Sequence, residues 1–239
     1  ANIGSGAVGA SRAALTVGTT GAVRIVLPHV DHVPPGLWCY RVDKNRALLG
    51  GATSEGGNVY GWIRGMAQLG EKEYIEPQLA ALPPDGHGLT VLPFWAGERS
   101  PGWAGDVRAT ISGLSLSTTP LEILRASLEA VAYRFAIILD RLPPADNRQL
   151  VASGGGLLSS PAWMQIMADV LGLPVIASME TEGTSRGTAL LALEALGQID
   201  AVEHLPGEDG EVFQPNPNNH RIYRAAVERQ RALYQKLIG

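Results

Sequence analysis

Cysteine is nearly missing from this chain. Cys39 is the only one among 239 residues, which excludes an intrachain disulfide framework and suits a reducing compartment, the cytoplasm. Aromatic residues make up only 6%, so the core must be built mainly from aliphatic side chains. Neither sign of charge dominates: 19 Lys and Arg stand against 23 Asp and Glu, for a net charge of -4. That balance offers no basic footprint for nucleic acid or for an anionic membrane surface. No apolar run approaches the roughly 20 residues of a membrane-spanning helix, and no charged-then-apolar leader opens the chain. Several catalytic signatures are also missing: no G-x-x-x-x-G-K-[ST], no H-E-x-x-H, no G-x-S-x-G and no paired cysteines for zinc. The five histidines are scattered and read as surface residues rather than as a ligand set.

What the chain does have is glycine. Its 29 glycines exceed the usual share of roughly 7%, so many tight turns and close backbone approaches are expected. At 45% hydrophobic the chain can bury a sizeable core, and no linker or charge run divides it. It reads as one domain over residues 1–239. It starts at Ala1 without a methionine, inside a glycine-rich segment, and so reads as a fragment.

The most informative stretch is QLVASGGGLLSSPAWMQIMAD, residues 149–169. A short apolar run reads as a buried strand, then come Gly154, Gly155 and Gly156. Ser160 before Pro161 is a helix-start signal, with Ser160 as the N-cap. A strand that feeds a glycine turn into a helix N-terminus can hold an anion, because free amides point outward and no Cβ blocks the approach. An ordinary tight turn is the equal alternative. The run Gly4-Ser5-Gly6-Ala7-Val8-Gly9 matches G-x-G-x-x-G, but a strand and not a helix follows, which argues against a dinucleotide site.

Two other glycine turns accompany the first. Residues 12–17 and 22–27 read as strands joined by Gly18-Thr19-Thr20-Gly21, a hairpin that offers amides and two hydroxyls. Gly56 and Gly57 lead into an amphipathic helix that carries Val59, Tyr60, Gly61, Trp62 and Ile63. A third strand is expected at residues 38–42. Residues 71–81 read as a polar excursion, residues 89–95 as a buried strand, and residues 97–103 (GERSPGW) as an exposed loop. Thr119-Pro120-Leu121-Glu122 is a capping-box start for a long helix that ends at Pro143. A strand at 173–177 and helices at 184–196 and 217–239 complete the pattern. Three glycine-and-hydroxyl turns converging on one polyphosphate would suit phosphoryl transfer, where a protein mainly positions groups and neutralises charge.

Three segments carry a resemblance. Residues 89–116, LTVLPFWAGERSPGWAGDVRATISGLSL, residues 14–24, ALTVGTTGAVR, and residues 152–175, ASGGGLLSSPAWMQIMADVLGLPV, resemble the FGGY family of carbohydrate kinases, in the family's order. The resemblance implies an α/β fold of the actin-like ATPase (ribonuclease H-like) type, a mixed central sheet flanked by helices. It implies the C-terminal, nucleotide-binding domain of a two-domain sugar kinase, with ATP and Mg2+ and a sugar or sugar-acid substrate, gluconate first and xylulose second. Gly18, Thr19, Thr20 and Gly21 match the hairpin that contacts the terminal phosphates. Gly57 and Gly61 match positions beside the nucleotide, Gly155 and Gly156 match glycines near the adenosine, and Ser160 matches a residue that approaches the adenine. The loop at 97–103 matches a family signature without an assigned contact. By the same resemblance the general-base aspartate falls just upstream of Ala1, and the magnesium aspartate and most sugar contacts fall in the absent N-terminal domain. A homodimer is left open. A non-catalytic nucleotide-binding or sugar-sensing regulator on the same fold is the alternative.

Overall fold

A computed structural model describes residues 1–239. Nine strands are present: β1 (Arg12–Val17), β2 (Gly21–Leu27), β3 (Trp38–Arg41), β4 (Ala47–Thr53), β5 (Thr90–Leu92), β6 (Thr110–Ser112), β7 (Gln149–Ser153), β8 (Val175–Ser178) and β9 (Asp209–Phe213). The helices are α1 (Gly57–Met66), α2 (Lys72–Ala81), α3 (Pro120–Leu139), α4 (Gly155–Leu158), α5 (Pro161–Leu171), α6 (Gly183–Ala195) and α7 (Pro217–Leu237). Seven strands form one mixed sheet in the order β3-β4-β2-β1-β7-β8-β9, and β5 pairs with β6 apart from it. β1, β7 and β8 run parallel, while β2, β4, β3 and β9 are antiparallel to their neighbours.

Alternation along the strands sends side chains to opposite faces. Ala13, Leu15, Val17, Val23, Ile25 and Leu150 join the large core under α1, α3, α5 and α7. Val26 points the other way, to a small cluster with Ile3, Leu190 and Val202. That thin layer is α6 together with the first residues of the chain. The glycine run at residues 4–9 belongs to it: a Cβ on Gly4 would lie 1.7 Å from the Gly183 carbonyl oxygen. These glycines serve close packing against α6, and β1 follows them.

The structure departs from the sequence expectation at four places. Residues 47–53, Gly50 and Gly51 among them, form a strand where the sequence reading placed none. The two glycines are required by packing, since a Cβ on Gly51 would meet Ile138 Cγ2 at 2.7 Å and one on Gly50 the Val23 oxygen at 2.4 Å. Residues 72–81, expected as a polar excursion, are a helix despite Pro77, because Ile75 and Leu79 are buried one turn apart. The apolar run at 89–95 yields only three strand residues, stopped at Pro93. The short strands β6 and β9 carry no burial alternation that would have announced them.

α3 is the axis of the core. Its capping box is complete: the Glu122 N–H donates to Thr119 Oγ1 at 3.3 Å, and the Thr119 N–H donates to Glu122 Oε2 at 2.7 Å. Every residue from Leu124 to Ile138 is buried, including Arg125, Glu129 and Arg134.

Candidate functional site

Three elements end at one place. β1 turns into β2 through residues 18–20, β4 passes into α1 through residues 54–56, and β7 passes into α4 at Gly154. The turns touch through backbone alone. The Gly57 N–H donates to the Gly18 oxygen at 2.7 Å, and the Asn58 N–H reaches the Thr19 oxygen at 3.4 Å. A Cβ on Gly57 would lie 3.0 Å from Gly156 Cα and 2.9 Å from the Gly18 oxygen. A Cβ on Gly156 would lie 2.7 Å from the same oxygen. Only glycine permits three chains to approach so closely. The left-handed backbone falls at Gly154, with φ +93°, rather than at Gly155 or Gly156.

The glycines of the turns divide by what surrounds them. Gly18, Gly61 and Gly155 have nothing within 4 Å of an added Cβ and border open space. Gly56, Gly57 and Gly156 are pressed against other backbone, and Gly21 is pressed against Phe135. Thr19 and Thr20 are exposed at the hairpin tip. Asn58 locks the start of α1, its Oδ1 accepting from the Gly56 and Val59 N–H groups at 2.7 and 2.9 Å. The result is a rigid cradle of backbone and hydroxyl groups with an open mouth, suited to an anion.

Ser160 is not at that mouth. It is fully buried, caps α5 by accepting from the Trp163 N–H at 3.2 Å, and donates to the Glu76 carboxylate at 2.8 Å. Its hydroxyl proton is used within the protein, so Ser160 acts on the site by anchoring α5 and α2. The side chains beside the mouth are ones the sequence did not single out. Lys72 Nζ donates to Ser159 Oγ at 2.6 Å and lies 4.8 Å from the Tyr60 ring centroid. Ser159 in turn donates to the Gly155 oxygen at 2.5 Å. Burial lowers the Lys72 ammonium below its ordinary range, with the Glu76 carboxylate opposing it. Reading residues 71–81 as a helix would have found Lys72 and Glu76 on one face, at i and i+4.

Glu55 stands behind the cradle. It is buried, and burial pushes its carboxyl up to about 7 against the Ala96 N–H, which donates to Oε1 at 2.8 Å. Glu55 links the cradle to the loop at 97–103. In that loop Glu98 is buried and paired with Arg134, and the Ser100 N–H ties the loop to β4 by donating to the Ala52 oxygen at 2.9 Å.

Residues 13–196 match the family described as the FGGY family of carbohydrate kinases, C-terminal domain. The chain belongs to the FGGY family. Among its curated relatives is a gluconokinase of Bacillus subtilis (strain 168), 29% identical over 230 residues, covering 90% of this chain and 45% of the relative. A crystal structure of a ligand-bound xylulose kinase from Lactobacillus acidophilus superimposes with a TM-score of 0.89 at 26% identity, over 99% of this chain and 49% of the other. A gluconate kinase structure from the same organism gives 0.86 at 26% identity, over 98% and 49%. The FGGY chain here therefore has the actin-like ATPase fold, its mixed sheet flanked by helices as expected. It spans about half the length of the curated relatives it matches.

Proposed function

We propose that the chain is the nucleotide-binding, C-terminal domain of an ATP-dependent carbohydrate kinase, which passes the terminal phosphoryl group of ATP to a sugar or sugar-acid hydroxyl. Gluconate is the preferred acceptor class and xylulose the second, following the relatives just described. The observation that carries the reading is the meeting of three glycine turns at one cradle, with Thr19 and Thr20 exposed on its rim and Gly18, Gly61 and Gly155 open to space. In this reading the hairpin holds the terminal phosphates, and the open side of Gly155 and Gly61 receives the nucleoside. ATP fits the donors present. Mg2+ would neutralise charge on the phosphates. The one carboxylate in the three turns, Glu55, is buried and accepts from the Ala96 N–H, so the turns present the metal no exposed carboxylate. The general base and the sugar contacts belong to the other half of a longer enzyme. A cytoplasmic location accords with the single cysteine, and no helix is long and apolar enough to cross a membrane.

The test is calorimetry with ADP on the full-length parent and its Thr19→Val/Thr20→Val variant. Valine keeps the β-branched shape and removes both hydroxyls. Each hydrogen bond lost to a charged phosphate weakens binding by about 1.5–3 kcal/mol. Unchanged affinity would return the hairpin to a structural turn. Tight ADP binding by the parent without sugar-dependent turnover would favour the regulator.

A further inference from the structure

A second cleft shares no residue with the glycine cradle. It encloses 520 Å³ between the C-terminal half of α3, the last turns of α7 and the loop at 97–103. Three guanidinium groups, Arg134, Arg141 and Arg231, line it together with two carboxylates, Glu98 and Asp140. Cation exceeds anion, and the two carboxylates are already engaged.

Arg134 is only 5% exposed. It pairs with Glu98 and lies 5.2 and 5.3 Å from the ring centroids of Phe94 and Tyr234. Its Nε is buried and has no hydrogen-bond acceptor. Glu98 has none to spare, since it also accepts from the Tyr234 hydroxyl at 2.7 Å and the Gly102 N–H at 3.3 Å. Asp140 is divided between Arg231 at 3.0 Å and Arg224 at 3.3 Å. Arg141 donates one N–H to the Pro35 oxygen at 2.7 Å and pairs with no carboxylate. A buried guanidinium N–H without an acceptor is costly and rare in a folded protein. Here it lines a cleft large enough for a small molecule, beside a second guanidinium that no carboxylate neutralises.

We propose that this cleft is a binding site for a small metabolite bearing a phosphate or a carboxylate group. The guanidinium fork matches both oxyanions, donating two parallel hydrogen bonds from one edge. Arg141, the guanidinium without a carboxylate partner, grips the anion at the mouth; Arg231, shared between Asp140 and Glu228, and Arg134 complete the positive wall. The volume accommodates the remainder of a five- or six-carbon sugar acid or sugar phosphate. This assigns a role to the GERSPGW segment, which forms one wall through Glu98, Pro101 and Gly102.

The experiment is calorimetry on the 239-residue chain with three probes: inorganic phosphate, ribose 5-phosphate and gluconate. At least one binds, and Arg141→Gln and Arg231→Gln each weaken it about tenfold, the loss of one charge-assisted hydrogen bond. Both arginines lie at the surface, so melting temperatures stay near that of the unaltered chain. Binding by the two phosphates alone identifies a phosphate site, and binding by gluconate alone a carboxylate site. Thr19→Val/Thr20→Val leaves the affinity unchanged, which separates this cleft from the cradle. The proposal is overturned if no probe binds at millimolar concentration. It is equally overturned if binding survives both arginine substitutions, or disappears with the hairpin substitutions.

Discussion

At the scale of single residues, adjacent glycines have opposite jobs. Gly155 faces open space, whereas a Cβ on Gly156 would press on the Gly18 oxygen and Gly57 Cα. Gly156→Ala should therefore strain the contact that aligns the hairpin with α1, at about 1–3 kcal/mol for overpacking. Its loss of nucleotide binding should follow its loss of stability. Gly155→Leu should melt near the unaltered protein, yet bind ADP much more weakly, because its side chain enters the mouth. Ser160→Ala is the control: it removes an N-cap worth about 1 kcal/mol without adding bulk. Melting temperature and ADP affinity, measured on all three variants in the parent protein, separate the roles. If Gly155→Leu binds ADP normally, the open side is not where the nucleotide lies. If Gly156→Ala is as stable as the original, the backbone contact is looser than the geometry indicates. The glycine pattern was legible in the sequence as three turns. Which glycine faced outward was not, because that depends on the partners brought in from other turns.

At the scale of elements, α3 shows what periodicity reveals and conceals. Its capping box and apolar stripe mark a helix of the right length. They do not reveal that its remaining face is also buried, with Glu129 fully enclosed. Glu129 accepts from Arg125 Nε at 2.5 Å, from the Tyr223 hydroxyl at 2.8 Å and from the Tyr133 hydroxyl at 3.1 Å. The Leu89 N–H donates to His87 Nδ1 at 2.9 Å, so His87 carries its proton on Nε2 and donates it to Glu129 at 3.0 Å. Asp85, His87 and Glu129 stand close enough to resemble a metal site, but these donors and the Asp85–Arg229 pair occupy their oxygens. Burial alone would raise the Glu129 carboxyl. The hydrogen bond from His87 and the charge of Arg125 outweigh it and hold the carboxyl below its ordinary range. A depressed carboxyl contributes stability above its unfolded value, about 4.3, and loses it as pH falls through the folded value. Glu129→Gln leaves Arg125 uncompensated and should cost about 3–5 kcal/mol at neutral pH. Thermal unfolding from neutral to acid pH should show the gap between the two proteins narrowing below about pH 4.3. A constant gap, or none at pH 7, would remove Glu129 from the stabilising pairs. Two further elements, β4 and α2, were hidden for related reasons. Paired glycines in β4 and Pro77 in α2 weaken local propensity, and contacts with Ile138 and the core override it.

At the scale of the whole molecule, the sheet brings distant segments to one edge. β1 and β7 lie side by side in parallel register, Leu15 beside Ala152 and Thr16 beside Ser153, which sets the hairpin and the α4 turn next to each other. The third turn arrives because β4 pairs with β2 up to Thr53 opposite Gly21. Across the sheet, Arg46 clamps the thin layer with Glu194 at 2.6 Å, Glu203 at 2.8 Å and Asp43 at 2.7 Å. Under the proposed function such a scaffold would position phosphates and do little else. The mouth of the cradle offers amides and hydroxyls. Its one carboxylate, Glu55, is buried behind it and accepts from the Ala96 N–H. No exposed carboxylate or imidazole therefore stands there to take a proton from an acceptor hydroxyl, and phosphoryl transfer needs such a group. The matched relatives are about twice as long. The 239-residue chain by itself should therefore form no ADP above background with ATP, Mg2+ and gluconate, xylulose or glycerol. It should still unfold cooperatively, since the large core is continuous across α1, α3, α5 and α7. Coupled ADP assays, run beside a melting curve, read both properties on one sample. Cooperative unfolding with background turnover is the expected pair. Robust sugar-dependent ADP formation by this chain would mean that it holds a complete active site, and the reading of it as one half of a two-domain kinase would fail.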